Sequence, residues 1–307
     1  MLDILGKRYV FFGISLLLIV PGLIVMAIFG LPLSIDFKGG TLLEIQFASG
    51  NLPSTDQILS VYNDLGLTDA QVTTTSNGVM IIRSSFMSDE LRSTVVNELE
   101  KKVNDQITVR RFDSVGPTIG REVAGRAAIA VGAAAIAVII YITFAFRGIP
   151  NAFRYGVCAV IAMLHDVLVV ISLVSIGGQL FGWQVDALFL TALLSVIGFS
   201  VQDKVVVFDR IRENSMIYRK LDFEKLANHS IVQTLQRSIN TQLMTVEYML
   251  LALALFGGVT LREFAVILLV GLFMGTYSSI FIAAPTLVIW ENGEWRRWFH
   301  RKNQAAA

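Results

Sequence analysis

YGVCAVIAMLHDVLVVISLVSI, residues 155–176, is an apolar run of 22 residues that carries its only histidine and its only carboxylate at the middle, His165 and Asp166. A bilayer core of ~30 Å is crossed by ~20 apolar residues in a helix, so a run of this length reads as a transmembrane span. Charge placed in hydrocarbon is costly unless it is paired or wetted. Ionisable residues in such a run are therefore candidate functional groups by default. This stretch thus implies both a membrane protein and a polar site within the membrane.

Working outward, five further runs qualify, giving six expected spans: Tyr9–Phe29, Val123–Phe146, Tyr155–Ile176, Val185–Val207, Ser238–Phe256 and Phe264–Trp290. The composition agrees, with 54% hydrophobic and 16% charged residues, against about 25% charged in soluble domains. Mean hydropathy is +0.63. A net charge of +1 offers no field for nucleic acid. The single cysteine, Cys158, excludes an intramolecular disulfide and a cysteine metal site. No metal, cofactor or catalytic residue is expected. Nucleotide-binding loops, H-E-x-x-H and G-x-S-x-G are all missing from the sequence, so an enzyme is not expected.

Loop charges orient the spans. Lys7 and Arg8, Arg147 and Arg154, the group from Arg210 to Lys225, and Arg296 to Lys302 all fall on one side. The short loops opposite hold only Arg262. The positive-inside rule then puts both termini in the cytoplasm. The first run is too long for a signal-peptide core and is expected to stay as an uncleaved anchor. Expected segments are therefore 1–32 (N-terminus and first span), 33–121 (a folded insert), 122–292 (spans two to six) and 293–307 (a cytoplasmic tail). Within the third segment, residues 222–236 read as an amphipathic stretch along the inner surface.

The insert, Leu33–Arg121, is too long for a plain loop. TLLEIQF alternates like a strand. Ser54 or Thr55 caps a helix reaching about Leu65 and ended by Gly66. QVTTT and VMIIRS flank Ser76-Asn77-Gly78 as a hairpin. Ser88 caps a second helix with acids first and lysines last. QITVRRFDSV is a final strand. The order βαββαβ predicts a small α+β, ferredoxin-like extracytoplasmic domain between the first and second transmembrane helices.

The intramembrane charges point to proton or ion movement. Asp203 lies roughly 9 Å inside the fourth span at about 1.5 Å per residue. A carboxylate that alternates between an unpaired and a cation-paired setting can bind and release a proton. The plainer reading is an acid solvated by headgroups. Arg237 opens the fifth span at a depth similar to that of Asp203, so the two can pair; Asn240, Thr241 and Thr245 extend a polar stripe from it. Snorkelling is the alternative. His165 and Asp166 read either as a further relay or as a structural hydrogen bond between helices. Glu247, at the centre of the fifth span, needs a partner or a proton. Lys204 has the length to snorkel to the interface. Gly271-x-x-x-Gly275, followed by Ser278 and Ser279, gives the sixth span a face for close helix packing.

Three motifs converge on one family. IDFKGGT (Ile35–Thr41) follows the first span, VGPTIGRE (Val115–Glu122) precedes the second, and GFSVQDKVVVFDRIREN (Gly198–Asn214) ends the fourth. With LHD in the third span and GTYSSIF in the sixth, the chain resembles, over nearly its whole length, the SecF family of bacterial protein-export membrane subunits, within the resistance-nodulation-division superfamily. The resemblance implies six spans in the bacterial inner membrane and pairing with SecD. It implies association with the SecYEG channel, with YidC and YajC as further partners. It also implies use of the proton motive force to promote preprotein translocation and release. By position, Asp203 matches the family's proton-binding acid and Arg237 its basic partner; a further acid would lie in SecD. Two departures stand out. Lys204 replaces the family's small hydroxyl residue, and Val246-Glu247 interrupts its run of threonines and apolar residues. Rival readings are an exporter of small molecules or lipids from the same superfamily, and a structural subunit stabilising SecD.

Overall fold

The computed structural model describes residues 3–74, 78–148, 151–242, 248–257 and 259–294 of the 307. The chain divides into two compact units, Leu33–Ile129 and the remainder.

The smaller unit is built on a four-stranded sheet. After a short helix α2 (Ile35–Lys38) come β1 (Gly40–Phe47), α3 (Thr55–Asp64), β2 (Gln71–Thr74), β3 (Val79–Ser84), α4 (Asp89–Val103) and β4 (Ile107–Val115). Spatial order is β2-β3-β1-β4, with every neighbouring pair antiparallel. Alternation along β1 sends Leu43, Ile45 and Phe47 to one face, where Met80 and Ile82 of β3 join them. Ile58, Val61 and Tyr62 of α3 and Val95 and Leu99 of α4 complete this core. Both helices start on serine caps. The Ser54 side chain accepts from Gln57 N, and Gln57 returns the bond to Ser54 N, while the Ser88 side chain accepts from Leu91 N. The short helix α2 was not expected from the sequence. The tip of the hairpin, residues 75–77, lies outside the described residues.

The glycine pair that opens β1 is dictated by space as well as by φ. Gly39 and Gly40 have φ of 77° and 131°. A Cβ on Gly39 would stand 2.6 Å from Pro117 Cα, and one on Gly120 2.6 Å from Gly39 N. The IDFKGG and VGPTIG motifs therefore meet backbone to backbone, an approach that only glycine allows.

The larger unit is helical. It contains α1 (Arg8–Phe29), the C-terminal part of α5 (Pro117–Ala145), α6 (Ala152–Phe181), α7 (Ala187–Ile217), α8 (Phe223–Gln242), α9 (Tyr248–Phe256), α10 (Val259–Ser278) and α11 (Ala284–Glu291). A π-helical segment, Ser279–Ala283, joins α10 to α11. It lies just ahead of Pro285, whose ring cannot donate to, and crowds, the carbonyl four residues back. Five stretches are long and apolar enough to cross a membrane among the described residues: Leu5–Phe29, Pro117–Ala145, Ala152–Phe181, Ala187–Ile217 and Leu261–Glu291. The outward apolar side chains of α1 and α5, such as Leu17 and Ile140, are exposed in the isolated chain.

The expected span Ser238–Phe256 is described only in part. Its first residues finish α8, its last nine form α9, and 243–247 lie outside the described residues. The surface stretch expected to end at 236 instead continues as one helix to Gln242. Leu226, Ala227, Ser230, Ile231, Thr234 and Ser238 recur at helical spacing on its buried face, so burial carries the helix across the compositional boundary.

Candidate functional site

The membrane unit holds a polar cluster where α6, α7 and α10 pack together. α6 is 30 residues long and places His165 and Asp166 at its centre. α7 starts where Asp186 caps Phe189 N at 2.7 Å. Its buried stripe runs Val196, Ser200, Asp203, Lys204, Val207, Phe208 and Ile211, spaced by three and four residues. At 31 residues, or roughly 46 Å at about 1.5 Å per residue, α7 exceeds a bilayer core of about 30 Å. Asp203 and Lys204 thus sit near mid-helix.

Gly271 and Gly275 let α10 close onto that stripe. A side chain at Gly271 would collide with Val196, and one at Gly275 would begin 3.2 Å from Ser200 Cα. The small-residue face is used within the chain. Close approach brings Thr276 and Ser278 of α10 into reach of the charges on α6 and α7.

Asp166 is the hub. Its Oδ2 accepts from Lys204 Nζ at 2.9 Å, Ser200 Oγ at 2.5 Å and Ser278 Oγ at 2.7 Å. Its Oδ1 meets His165 Nδ1 at 3.0 Å. Lys204 Nζ also donates to the Ser200 carbonyl at 3.3 Å and to Ser200 Oγ. The side chains of Lys204 and Asp166 are 0% and 1% exposed. The expectation that Lys204 snorkels to the interface is therefore overturned. It lies one turn beyond Ser200 on the buried stripe, and a carboxylate on the next helix offers a charge-assisted bond. His165 Nδ1 must carry the proton in order to donate. Its Nε2 is buried and without a hydrogen-bond partner among the described residues. Its ring stacks on Tyr277, with centroids 6.0 Å apart. The Tyr277 hydroxyl in turn donates to the Phe11 carbonyl of α1 at 2.8 Å.

Asp203, the next residue along α7, is buried beside this hub but bonded differently. Its Oδ2 accepts from Thr276 Oγ1 at 2.8 Å. Arg237 of α8 acts on it electrostatically, as does Lys204. No ion pair joins Asp203 and Arg237 among the described residues, and the Arg237 side chain is exposed in the isolated chain. Asn240 and Thr241 share that exposure. Glu247 and Thr245 fall outside the described residues.

Sequence reasoning singled out both carboxylates and His165 but missed what binds them. Ser200 and Thr276 are the unforeseen members, and Ser278, expected only on the small-residue packing face, binds a carboxylate. The available signal was spacing: Ser200, Asp203 and Lys204 lie three and four residues apart, on one helix face.

At one end of the same unit, Arg8 joins Glu224 and Glu294, each at 2.8 Å, and Asn228 Oδ1 accepts from the Ile4 and Leu5 amides at 2.9 and 3.2 Å. Chain segments far apart in sequence are tied together there.

Long apolar helices with ionisable groups buried between them define a polytopic membrane protein with a polar centre. Comparisons with known proteins narrow the class. A sequence profile for the "Protein export membrane protein SecD/SecF, C-terminal" matches residues 95–293, and one for the "SecD/SecF GG Motif" matches residues 24–50. The chain is 78% identical over 307 residues to protein translocase subunit SecF of Anaerolinea thermophila, covering all of both chains. It is 45% identical over 321 residues to protein translocase subunit SecF of Thermobaculum terrenum, covering 100% of this chain and 99% of that one. Among solved structures, SecDF of Thermus thermophilus, described as a translocon-associated membrane protein, matches with a TM-score of 0.81 and 32% identity. That match covers 95% of this chain but 39% of the longer SecDF chain. The chain belongs to the SecD/SecF family of protein-export membrane proteins. It is a transport component of protein translocation, similar along its whole length to SecF subunits.

Proposed function

We propose that this chain pairs with SecD and uses the proton motive force to promote preprotein translocation and release through the SecYEG channel, with YidC and YajC as further contacts. The observation that carries the reading is Asp203. This carboxylate is buried near mid-helix, held by one hydroxyl of a neighbouring helix, and lies within the electrostatic reach of Arg237. Such a group can take up a proton when the arginine is distant and release it when the arginine approaches. An acid supplied by SecD completes the path. His165, Asp166 and Glu247 are further polar groups of the route.

The same reading assigns six spans, with Ser238–Phe256 as the fifth, and puts both termini in the cytoplasm of a bacterial inner membrane. Residues 33–121 form the extracytoplasmic domain. Its strand order and all-antiparallel pairing, with two helices over one face, support a ferredoxin-like fold there. That domain contacts emerging preprotein or transmits motion to it.

The test is preprotein import into inverted vesicles carrying this chain, SecD and the channel, with and without a proton gradient. The gain produced by the gradient should vanish in Asp203→Asn while the complex still assembles. A gain that survives would reduce the chain to a scaffold or move the proton site elsewhere.

A further inference from the structure

We infer that Lys204 is a positioning residue: its ammonium holds Asp166 in a buried ion pair as a fixed anchor and so leaves Asp203 as the proton-exchanging carboxylate of the buried cluster. The inference rests on the proton-driven reading and specifies how its site divides the work.

The two carboxylates lie in one packed region and are bonded in opposite ways. A carboxylate has about four acceptor positions. Asp166 draws four donors, Ser200 Oγ, Ser278 Oγ and Lys204 Nζ on Oδ2 and His165 Nδ1 on Oδ1. One of these is a full positive charge held at 2.9 Å, with both side chains sealed from solvent. A proton arriving at Asp166 would leave a buried ammonium without its counter-charge, which is the expensive way to break a buried pair. Asp203 has a single hydrogen bond among the described residues, from Thr276. Gaining a proton there breaks no ion pair.

The neighbours of Asp166 do not change this balance. From α6 comes His165, already donating to Oδ1; from α7 come Lys204 and, on the adjacent position, Asp203. α10 contributes Tyr277, stacked on His165, and α1 contributes the Ser15 hydroxyl and the Phe11 carbonyl, both against the Tyr277 hydroxyl. Arg237 of α8 acts on Asp203. Lys204 is thus the cation that cancels Asp166, and the hydroxyls of Ser200 and Ser278 set the geometry in which it does so. The sequence step Asp203-Lys204 puts the exchanging acid and the fixed cation on the same helix face, each turned to a different partner.

Residue-resolved labelling tests the division. Dicyclohexylcarbodiimide is an apolar reagent that adds to protonated carboxyls. It would be applied to inverted vesicles carrying the full chain with SecD, and adducts mapped by mass spectrometry across pH. In the native chain the adduct should form on Asp203, fade as pH rises, and be undetected on Asp166. Lys204→Met should gain an adduct on Asp166, because that carboxylate loses its cation and takes up a proton. Asp166→Asn with Lys204→Met should keep only the Asp203 adduct. A role in packing alone would not create a new reactive carboxyl. An Asp166 adduct in the native chain, or a Lys204→Met chain that assembles and gains none, overturns the inference. If Lys204→Met does not assemble, recovery of assembly in the double variant supports it, and the native chain alone still decides against it if Asp166 is labelled. Failure of Asp203 to label in the native chain would instead count against the proton-driven reading.

Discussion

Lys204 follows Asp203 in sequence yet bonds Asp166 on the neighbouring helix, with Nζ and Oδ2 2.9 Å apart and both side chains buried. Two adjacent residues of α7 therefore serve two different carboxylates: Asp203 is one itself, and Lys204 neutralises the other.

Removing one member of this pair leaves an uncompensated buried charge, which costs about 3–5 kcal/mol, whereas replacing both by apolar residues is often near neutral. Asp166→Leu and Lys204→Met should each lower the thermal midpoint of the purified chain strongly. The double variant should recover most of the loss. Additive losses would show that the two residues are not energetically coupled.

Helix packing predicts a contrast between glycines. Gly271→Leu drives a side chain into Val196 and should lose about 1–3 kcal/mol through overpacking. Gly13→Ala, where a Cβ meets nothing within 4 Å, should stay within about 0.5 kcal/mol of the parent. Thermal unfolding in detergent reads both.

In the small domain, Ser54 and Ser88 cap the two helices. Replacing either by alanine should cost about 1 kcal/mol. Faster protease cleavage within residues 55–103 of the full chain would register the loss.

One pH effect has a definite sign. The Ser49 hydroxyl, 2.6 Å from Asp105 Oδ2, together with the amides of Ser49 and Gln106, holds the exposed Asp105 carboxyl below its ordinary value. A carboxyl with a lower value folded than unfolded adds stability above the unfolded value, and loses it as pH falls through the folded one. Ser49→Ala should therefore weaken the domain at neutral pH, and the difference from the parent should close in acid. A difference that persists unchanged at low pH would refute the assignment. Denaturant titrations at the two pH values make the comparison.

Much of this architecture was legible from local pattern. Apolar length marked α1, α5, α6, α7 and the stretch from α10 to α11, and in the insert the serine caps, the alternation of Leu43, Ile45 and Phe47 and the turn residues marked strands and helices. What depends on partners distant in sequence was not legible. Lys204 looked like a residue that reaches for the interface, because a lone lysine near a span end does so. Its true partner is 38 positions away on another helix. The continuation of α8 past Gln236 also escaped composition, since a buried face packed on α7, rather than a change in polarity, carries it on. Ser200 and Thr276 carry no charge to draw notice, Ser278 reads from sequence as a packing residue, and the close approach at Gly271 and Gly275 gives all three their role.

The central claim, that protons pass by way of Asp203, is tested most directly by proton flow itself. Inverted vesicles carrying this chain with SecD and the channel would be loaded with a pH-sensitive dye and energised, and proton loss followed while preprotein is translocated. The account predicts a translocation-dependent leak in the native chain that disappears in Asp203→Asn. An equal leak in that variant would contradict it.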